Sequence, residues 1–170
     1  PYRPRWVWVY SVLYFPVILC TNLVVGSPQQ FTHLAISYLL LLAFQMAFFL
    51  AFPVTTPESW RTCNQQRNYS ERFLAFVQRL DARSNSFPSM HTSVATLTAL
   101  YLYPSLGAGA LSFPVLIGLS CLFTKQHYVV DVIAGILLAG AAYLVFLRGY
   151  SRTAIPQLDE RVVPVVVLGF

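Results

Sequence analysis

Charge is what this chain has least of. Charged residues make up 10% of its 170 residues, with six Asp and Glu against eleven Lys and Arg, where a soluble domain carries about 25%. With 56% hydrophobic residues and a mean hydropathy of +0.59, that scarcity excludes a disordered chain and an ordinary soluble domain. The few carboxylates are also scattered: Glu58, Glu71 and Asp81 lie far apart in sequence, so no clustered ligand set for a metal is visible. Cysteine is scarce too. Three are present, and Cys20 and Cys121 lie in apolar runs, which excludes a disulfide-stapled secreted module. The net charge of +5 and pI near 9.3 suit a nucleic-acid binder, but the distribution does not. Five of the eleven basic residues (Arg61, Arg67, Arg72, Arg79 and Arg83) fall in one polar segment between apolar runs, as at a membrane surface.

Long apolar runs are what the chain has instead. Trp6 to Pro57, Ser84 to Thr124 and Val132 to Leu147 contain no Asp, Glu, Lys or Arg. A spanning helix needs roughly 20 apolar residues, so these runs predict an all-α, polytopic transmembrane bundle in a multi-pass integral membrane protein. Five spans are expected: Trp6 to Val25, kinked at Pro16; Phe31 to Phe52; Ser89 to Tyr103, ended by Pro104; Ala110 to Lys125; and His127 to Arg148. Trp6, Trp8 and Tyr10 read as an interfacial aromatic belt. Residues 1–150 form one transmembrane domain with an interfacial loop and helix over 55–88, and 151–170 form a C-terminal tail. Within the loop, Ser70 can cap a helix whose Phe73, Phe76, Val77 and Leu80 share one face. It is either a plain loop helix or a lid over a site.

The chemistry-bearing residues gather at helix ends. His91 opens the third span and His127 the fifth. The stretch between them reads as one helical hairpin, so both histidines return to the same membrane face. The second span delivers the arginine-rich loop to that face as well. His127 and Asp131 are four residues apart and therefore neighbours on a helix. A carboxylate that fixes one imidazole nitrogen leaves the other as a nucleophile. His91 then serves as proton donor to a leaving oxygen. Ser89, Lys125 and nearby Arg offer donors to a phosphoryl group, and the first turn of the third span offers backbone N–H groups. Lys125 has a second reading, as a side chain snorkelling at the interface. His33 stands at the opposite face and reads as structural.

Pro88-Ser89-Met90-His91 resembles the Pro-Ser-Gly-His motif of the type 2 phosphatidic-acid phosphatase superfamily. Ser120 to Asp131 resembles its third motif: Ser-Arg, five residues, His, three residues, Asp. Three departures stand out. Met90 replaces the motif's Gly, Cys121 replaces its Arg, and the first motif (Lys, six residues, Arg-Pro) is absent. In its place Phe52 to Arg61 is Pro-rich and, with the residues around His127, is similar to the inositol phosphorylceramide synthase branch. The resemblance implies a membrane enzyme with catalytic His91, His127 and Asp131. His127 becomes phosphorylated, Asp131 orients it and His91 protonates the leaving group. Ser89 would bind phosphate, and neither cofactor nor metal is required. From the residues themselves, the Met90 N–H can still donate to phosphate, and Lys125, or failing it Arg61 or Arg83, is read as supplying the charge that Cys121 lacks. The resemblance also implies six spans, so five here are consistent with a missing first helix.

The substrate is then a lipid phosphate or lipid-linked phosphate ester, in the bilayer, with no nucleic-acid partner. Three functions stay open. Water as acceptor gives a phosphatase, and an alcohol gives a phospho-headgroup transferase. A non-catalytic membrane scaffold is the third. Counting positive charges puts the site in the cytoplasm, whereas the resemblance implies an extracytoplasmic or lumenal one.

Overall fold

The computed structural model describes residues 2–25, 27–62, 65, 67–80 and 85–150, so the tail 151–170 and Arg83 lie outside the described residues. The chain begins with a 3₁₀ turn at Pro4–Trp6 and a π-helical stretch at Val9–Leu13, which runs into α1 (Tyr14–Val24). There follow α2 (Pro28–Ala51), the short α3 (Glu58–Thr62), α4 (Tyr69–Leu80) and α5 (Met90–Leu106). A 3₁₀ turn at Gly107–Leu111 leads to α6 (Ser112–Phe123), and α7 (Val129–Tyr150) closes the bundle.

The first helix does carry an irregularity, but it lies upstream of Pro16. Pro16 has no N–H, and its ring crowds the carbonyl four residues back, Val12. That carbonyl sits inside the π-helical Val9–Leu13, where the wider turn absorbs the conflict. Pro104 does not end α5 either. The helix continues to Leu106, and Gly107, at φ +58°, turns the chain and returns its N–H to the carbonyl of Tyr103. A left-handed φ suits glycine, so Gly107 sets this boundary.

The cap of α4 differs from the expected Ser70. Asn68 Oδ1 accepts the N–H of Glu71 at 2.9 Å, and Glu71 Oε2 accepts the N–H of Arg67 at 2.7 Å, a reciprocal arrangement close to a capping box. Ser70 instead accepts the indole N–H of Trp8 at 3.0 Å, and the Trp8 ring stacks on Phe73 at 4.6 Å. The apolar face of α4 thus lies against the start of the first helix.

Pro4–Val24, Gln30–Ala51 and Met90–Phe123 are long and apolar enough to cross a membrane, and Val129–Leu144 is a shorter apolar helix. The third of these doubles back at the 3₁₀ turn. α6 packs along α5, and the rings of His91 and His127, from opposite ends of the hairpin, stand 6.3 Å apart. Side chains such as Phe15, Leu19, Leu23, Leu50 and Leu137 are exposed on the outside, the apolar exterior of an all-α membrane bundle.

α5 is the central helix and packs against α1, α2, α6 and α7. Its buried side is built from small and hydroxyl residues, among them Thr92, Ser93, Ala95, Thr96, Thr98 and Ala99. Ser93, Thr96 and Thr98 donate to carbonyls of their own helix, of Met90, Thr92 and Val94 respectively, which hides their polarity and lets neighbouring backbones approach. The closest approach is at Gly135 of α7, where a Cβ would lie 2.6 Å from the Ser89 carbonyl oxygen and 3.3 Å from the Ser93 nitrogen. Both obstacles are backbone. Gly135→Ala is therefore expected to destabilise the bundle by about 1–3 kcal/mol, seen as a lowered thermal midpoint in detergent. Gly140→Ala, where a Cβ would meet nothing within 4 Å, is the matched control and should shift it little.

Candidate active site

Three breaks in the helical bundle meet at one place: the segments after α2, before α5 and between α6 and α7. Each carries backbone groups that no helix satisfies, and they satisfy one another. Ser86 places both its N–H and its hydroxyl on the Val54 carbonyl, at 3.1 and 3.2 Å. The Ser86 carbonyl accepts from His127 Nδ1 at 2.9 Å. The Ser89 N–H donates to the Asp131 carbonyl at 2.9 Å. From α2, the buried Gln45 donates its amide to the Pro88 carbonyl and accepts from the Ser93 hydroxyl, both at 3.0 Å.

His127 lies in the connection before α7 rather than on the helix itself, which begins at Val129. The cause is Asp131, whose Oδ2 accepts the N–H of Tyr128 at 2.9 Å and holds the helix start there. The same oxygen lies 3.5 Å from His127 Nδ1, so Asp131 neighbours the ring while the nearer acceptor for Nδ1–H is the Ser86 carbonyl. An imidazole that donates through Nδ1 keeps its lone pair at Nε2. His127 and Asp131 are both buried.

His91, in the first turn of α5, faces the first helix. Tyr10 Oη stands 2.6 Å from its Nε2 and 3.2 Å from its Nδ1. The Tyr10 and Tyr14 rings lie 4.4 and 5.1 Å from the imidazole, centroid to centroid. A cavity of about 300 Å³ opens here, lined by Tyr10, Tyr14 and His91 together with Val77 and Leu80 of α4. The amphipathic helix therefore forms a wall of this cavity.

The expected phosphate-binding residues are placed unevenly. Ser89 is fully buried and caps α5: its Oγ accepts from the Thr92 N–H at 3.4 Å and lies 3.1 Å from Thr92 Oγ1. Met90 is the first residue of α5, where N–H groups lack acceptors within the helix. Lys125, at φ +60°, holds its Nζ 4.9 Å from the centroid of the Trp60 ring. That is a cation–π contact, and Trp60 in turn packs on Tyr128 at 4.7 Å. Arg61 donates to the Gln78 carbonyl and so ties α3 to α4. Cys121 is buried in an apolar cluster with Tyr10, Tyr14, Ala95, Phe113 and Ile117. His33 is buried near the start of α2. Among the described residues, no group of three or more His, Cys, Asp or Glu could hold a metal ion.

A sequence model of the PAP2 superfamily matches residues 5–145. The chain belongs to the PAP2 superfamily. Membership carries a phosphatase-type function on phosphate esters, and the apolar helices carry association with a membrane. No curated protein and no solved structure matches the chain.

Sequence reasoning passed over Gln45, Ser86, Tyr14 and Trp60, and read Tyr10 as an interfacial anchor. Gln45 did give a signal, as an amide in the middle of a charge-free apolar run. Ser86 gave none, because its backbone carbonyl is what meets His127. Gln45→Leu should strip its partner from the Pro88 carbonyl, while the Ser93 hydroxyl, which also faces the Met90 carbonyl at 2.9 Å, keeps that acceptor. We expect a loss of about 1–3 kcal/mol in thermal melting, together with reduced turnover, because those bonds fix the start of α5.

Proposed function

We propose that this PAP2-superfamily protein is an integral-membrane phosphatase that hydrolyses a lipid-linked phosphate ester through a phosphohistidine at His127. The observation that carries the reading is the pairing of two histidines whose rings stand 6.3 Å apart, one of them donating through Nδ1 to the Ser86 carbonyl. His127 Nε2 attacks phosphorus, and the bond from phosphorus to the lipid oxygen breaks. His91, as imidazolium, gives that oxygen its proton. Water then attacks the phosphohistidine, His91 takes back a proton, and inorganic phosphate leaves. Asp131, beside the His127 ring, stabilises the positive charge that forms on it. The first-turn N–H groups of α5 face developing negative charge. Lys125 can add to this by leaving its position on Trp60.

A lipid substrate is supported by a second cavity, of about 500 Å³, lined by apolar side chains of α1, α2 and α5 including Ile18, Leu34 and Val94. Phospho-headgroup transfer to an alcohol is the alternative. What favours it is that the Pro-rich segment resembling the inositol phosphorylceramide synthase branch contains Val54, which anchors Ser86.

Purified protein incubated with lipid phosphates, with and without added alcohols and in chelator, tests both. Free phosphate supports hydrolysis, and a new phospholipid supports transfer. His127→Ala should abolish turnover while the bundle still melts cooperatively. Asp131→Asn should retain a residual rate, down by orders of magnitude. Near wild-type turnover in His127→Ala would refute the phosphohistidine, and activity lost in chelator but restored by magnesium would refute metal independence.

We place the site on the extracytoplasmic or lumenal face. In sealed vesicles whose cytoplasmic face points outward, a membrane-impermeant maleimide should then label Glu58→Cys, in a Cys63→Ser background, only after the vesicles are opened. Labelling before they are opened would reverse that assignment.

A further inference from the structure

α4 carries large apolar side chains on more of its surface than its packing uses. Leu74 and Gln78 are buried, Phe73 stacks on Trp8, and Val77 lines the cavity beside His91. Tyr69, Phe76 and Leu80 are nevertheless 84%, 55% and 74% exposed. With 3.6 residues per turn, positions 69, 72, 76, 79 and 80 fall within about 100° of one another around the helix. The three apolar residues therefore share one outward face with the exposed Arg72 and Arg79. No acid lies on that face. Glu71 falls outside it, and its Oε2 accepts the Arg67 N–H at the helix start. Single exposed apolar residues need no explanation, but here the location adds one. Leu80 lines the same cavity as Phe15. Phe15 is 66% exposed and belongs to Pro4–Val24, which is long and apolar enough to cross a membrane. α4 also packs on the 3₁₀ turn that opens that stretch. The helix thus lies beside a span, at the level of the bilayer rather than out in water.

We propose that the outward face of α4 is a docking surface for anionic lipids of the surrounding bilayer. Tyr69, Phe76 and Leu80 enter the boundary between headgroups and acyl chains, as the apolar residues of an interfacial helix do. Arg72 and Arg79 pair with headgroup phosphates, which suit the guanidinium fork. A lipid with net negative charge is favoured, because a zwitterionic headgroup carries its own cation to offset the phosphate, and each Arg near an anionic surface adds attraction. Since the other side of α4 places Val77 on the cavity that holds His91, docking ties one wall of that cavity to the bilayer surface. The proposal concerns a surface outside the reacting groups and does not depend on the chemistry at His127.

Amide hydrogen exchange reads this without any need for turnover. The full chain is placed in nanodiscs of phosphatidylcholine alone or of phosphatidylcholine mixed with phosphatidylglycerol, and exchange is followed over α4, with α5 as the internal reference for an intact bundle. Phosphatidylglycerol should slow exchange over α4 about tenfold or more, and high salt should remove most of that gain. Arg72→Gln with Arg79→Gln should exchange in the mixed nanodiscs as the wild type does in phosphatidylcholine. Phe76→Ser with Leu80→Ser should speed exchange over α4 in both lipids. Arg5→Gln with Arg67→Gln removes the same charge from outside the face and should keep the wild-type response. Equal exchange in the two lipids overturns the proposal. So does a response to phosphatidylglycerol that survives in the Arg72 and Arg79 double variant. Loss of the response in the Arg5 and Arg67 double variant overturns it as well, because net charge and not the face would then be what the lipid senses. Failure here leaves the phosphohistidine reading standing, and failure of that reading leaves this surface untouched.

Discussion

In a bundle this apolar, a backbone N–H or C=O that leaves its helix must find its partner inside the protein or at the membrane surface. Orphaned polar groups in hydrocarbon cost several kcal/mol each, about the same whichever residue carries them. The chain breaks its helices after Ala51, before Met90 and after Phe123, and the three breaks solve the problem together. Val54 serves Ser86, Ser86 serves His127, Asp131 serves both Ser89 and Tyr128, and Gln45 reaches across from α2 to serve Pro88. The same bonds that spare the backbone also orient His127, through the Ser86 carbonyl, and fix the start of α5 that carries His91. The geometry of the candidate site is a consequence of satisfying helix ends.

That constraint also explains what the sequence makes legible. The apolar runs and the spacing of His91, His127 and Asp131 are local or periodic signals, and they place two histidines on one face of an all-α bundle before any coordinates are known. The partner of His127 Nδ1 is a different kind of fact. It is the carbonyl of Ser86, and every residue has a carbonyl. The boundaries shifted for similar reasons. Pro104 reads as a terminator by its missing N–H, yet Gly107 ends α5, because its N–H makes the last helical bond, to Tyr103, and its positive φ then turns the chain out of the helix. Pro16 reads as a kink, yet the conflict is taken up at Val12, four residues earlier. Gln45 was visible as an anomaly but not as a clamp, since its two partners lie over forty positions away.

The departures from the family's motifs become physical when placed in the structure. Cys121 stands where the third motif has Arg, and it sits among Tyr10, Tyr14, Phe113 and Ile117. A guanidinium there would need water or a counter-ion in surroundings that supply neither. On the proposed reading the charge that the motif normally brings would have to come from elsewhere. Lys125 is the nearest cation in sequence to His127, and it is stacked on Trp60 of α3. Arg61, one residue further along α3, is committed to the Gln78 carbonyl of α4. Both cations are thus tied to the interfacial segment rather than to the bundle core.

This division sets what can move. The α5–α7 contact is tight, with Gly135 pressed on the Ser89 carbonyl, so the histidine pair has little freedom. The first helix and α4 are held differently: Trp8 on Phe73 and Ser70, Tyr10 on His91, and Val77 and Leu80 across an open cavity. Those are side-chain contacts, beside the one backbone bond from the Arg3 N–H to the Phe123 carbonyl at 2.9 Å, and side chains can exchange partners with a substrate whereas interlocked backbones cannot. On the proposed reading the tightly packed half would carry the nucleophile, and Tyr10, α4 and the cations of the segment between α2 and α5 would meet the substrate. A phosphoryl group entering between them would compete for Lys125 with the Trp60 face. A charge-assisted hydrogen bond, worth about 1.5–3 kcal/mol, would match or exceed a cation–π contact of about 0.5–2 kcal/mol, so on the proposed reading the Trp60 contact would not hold Lys125 back from a phosphoryl group.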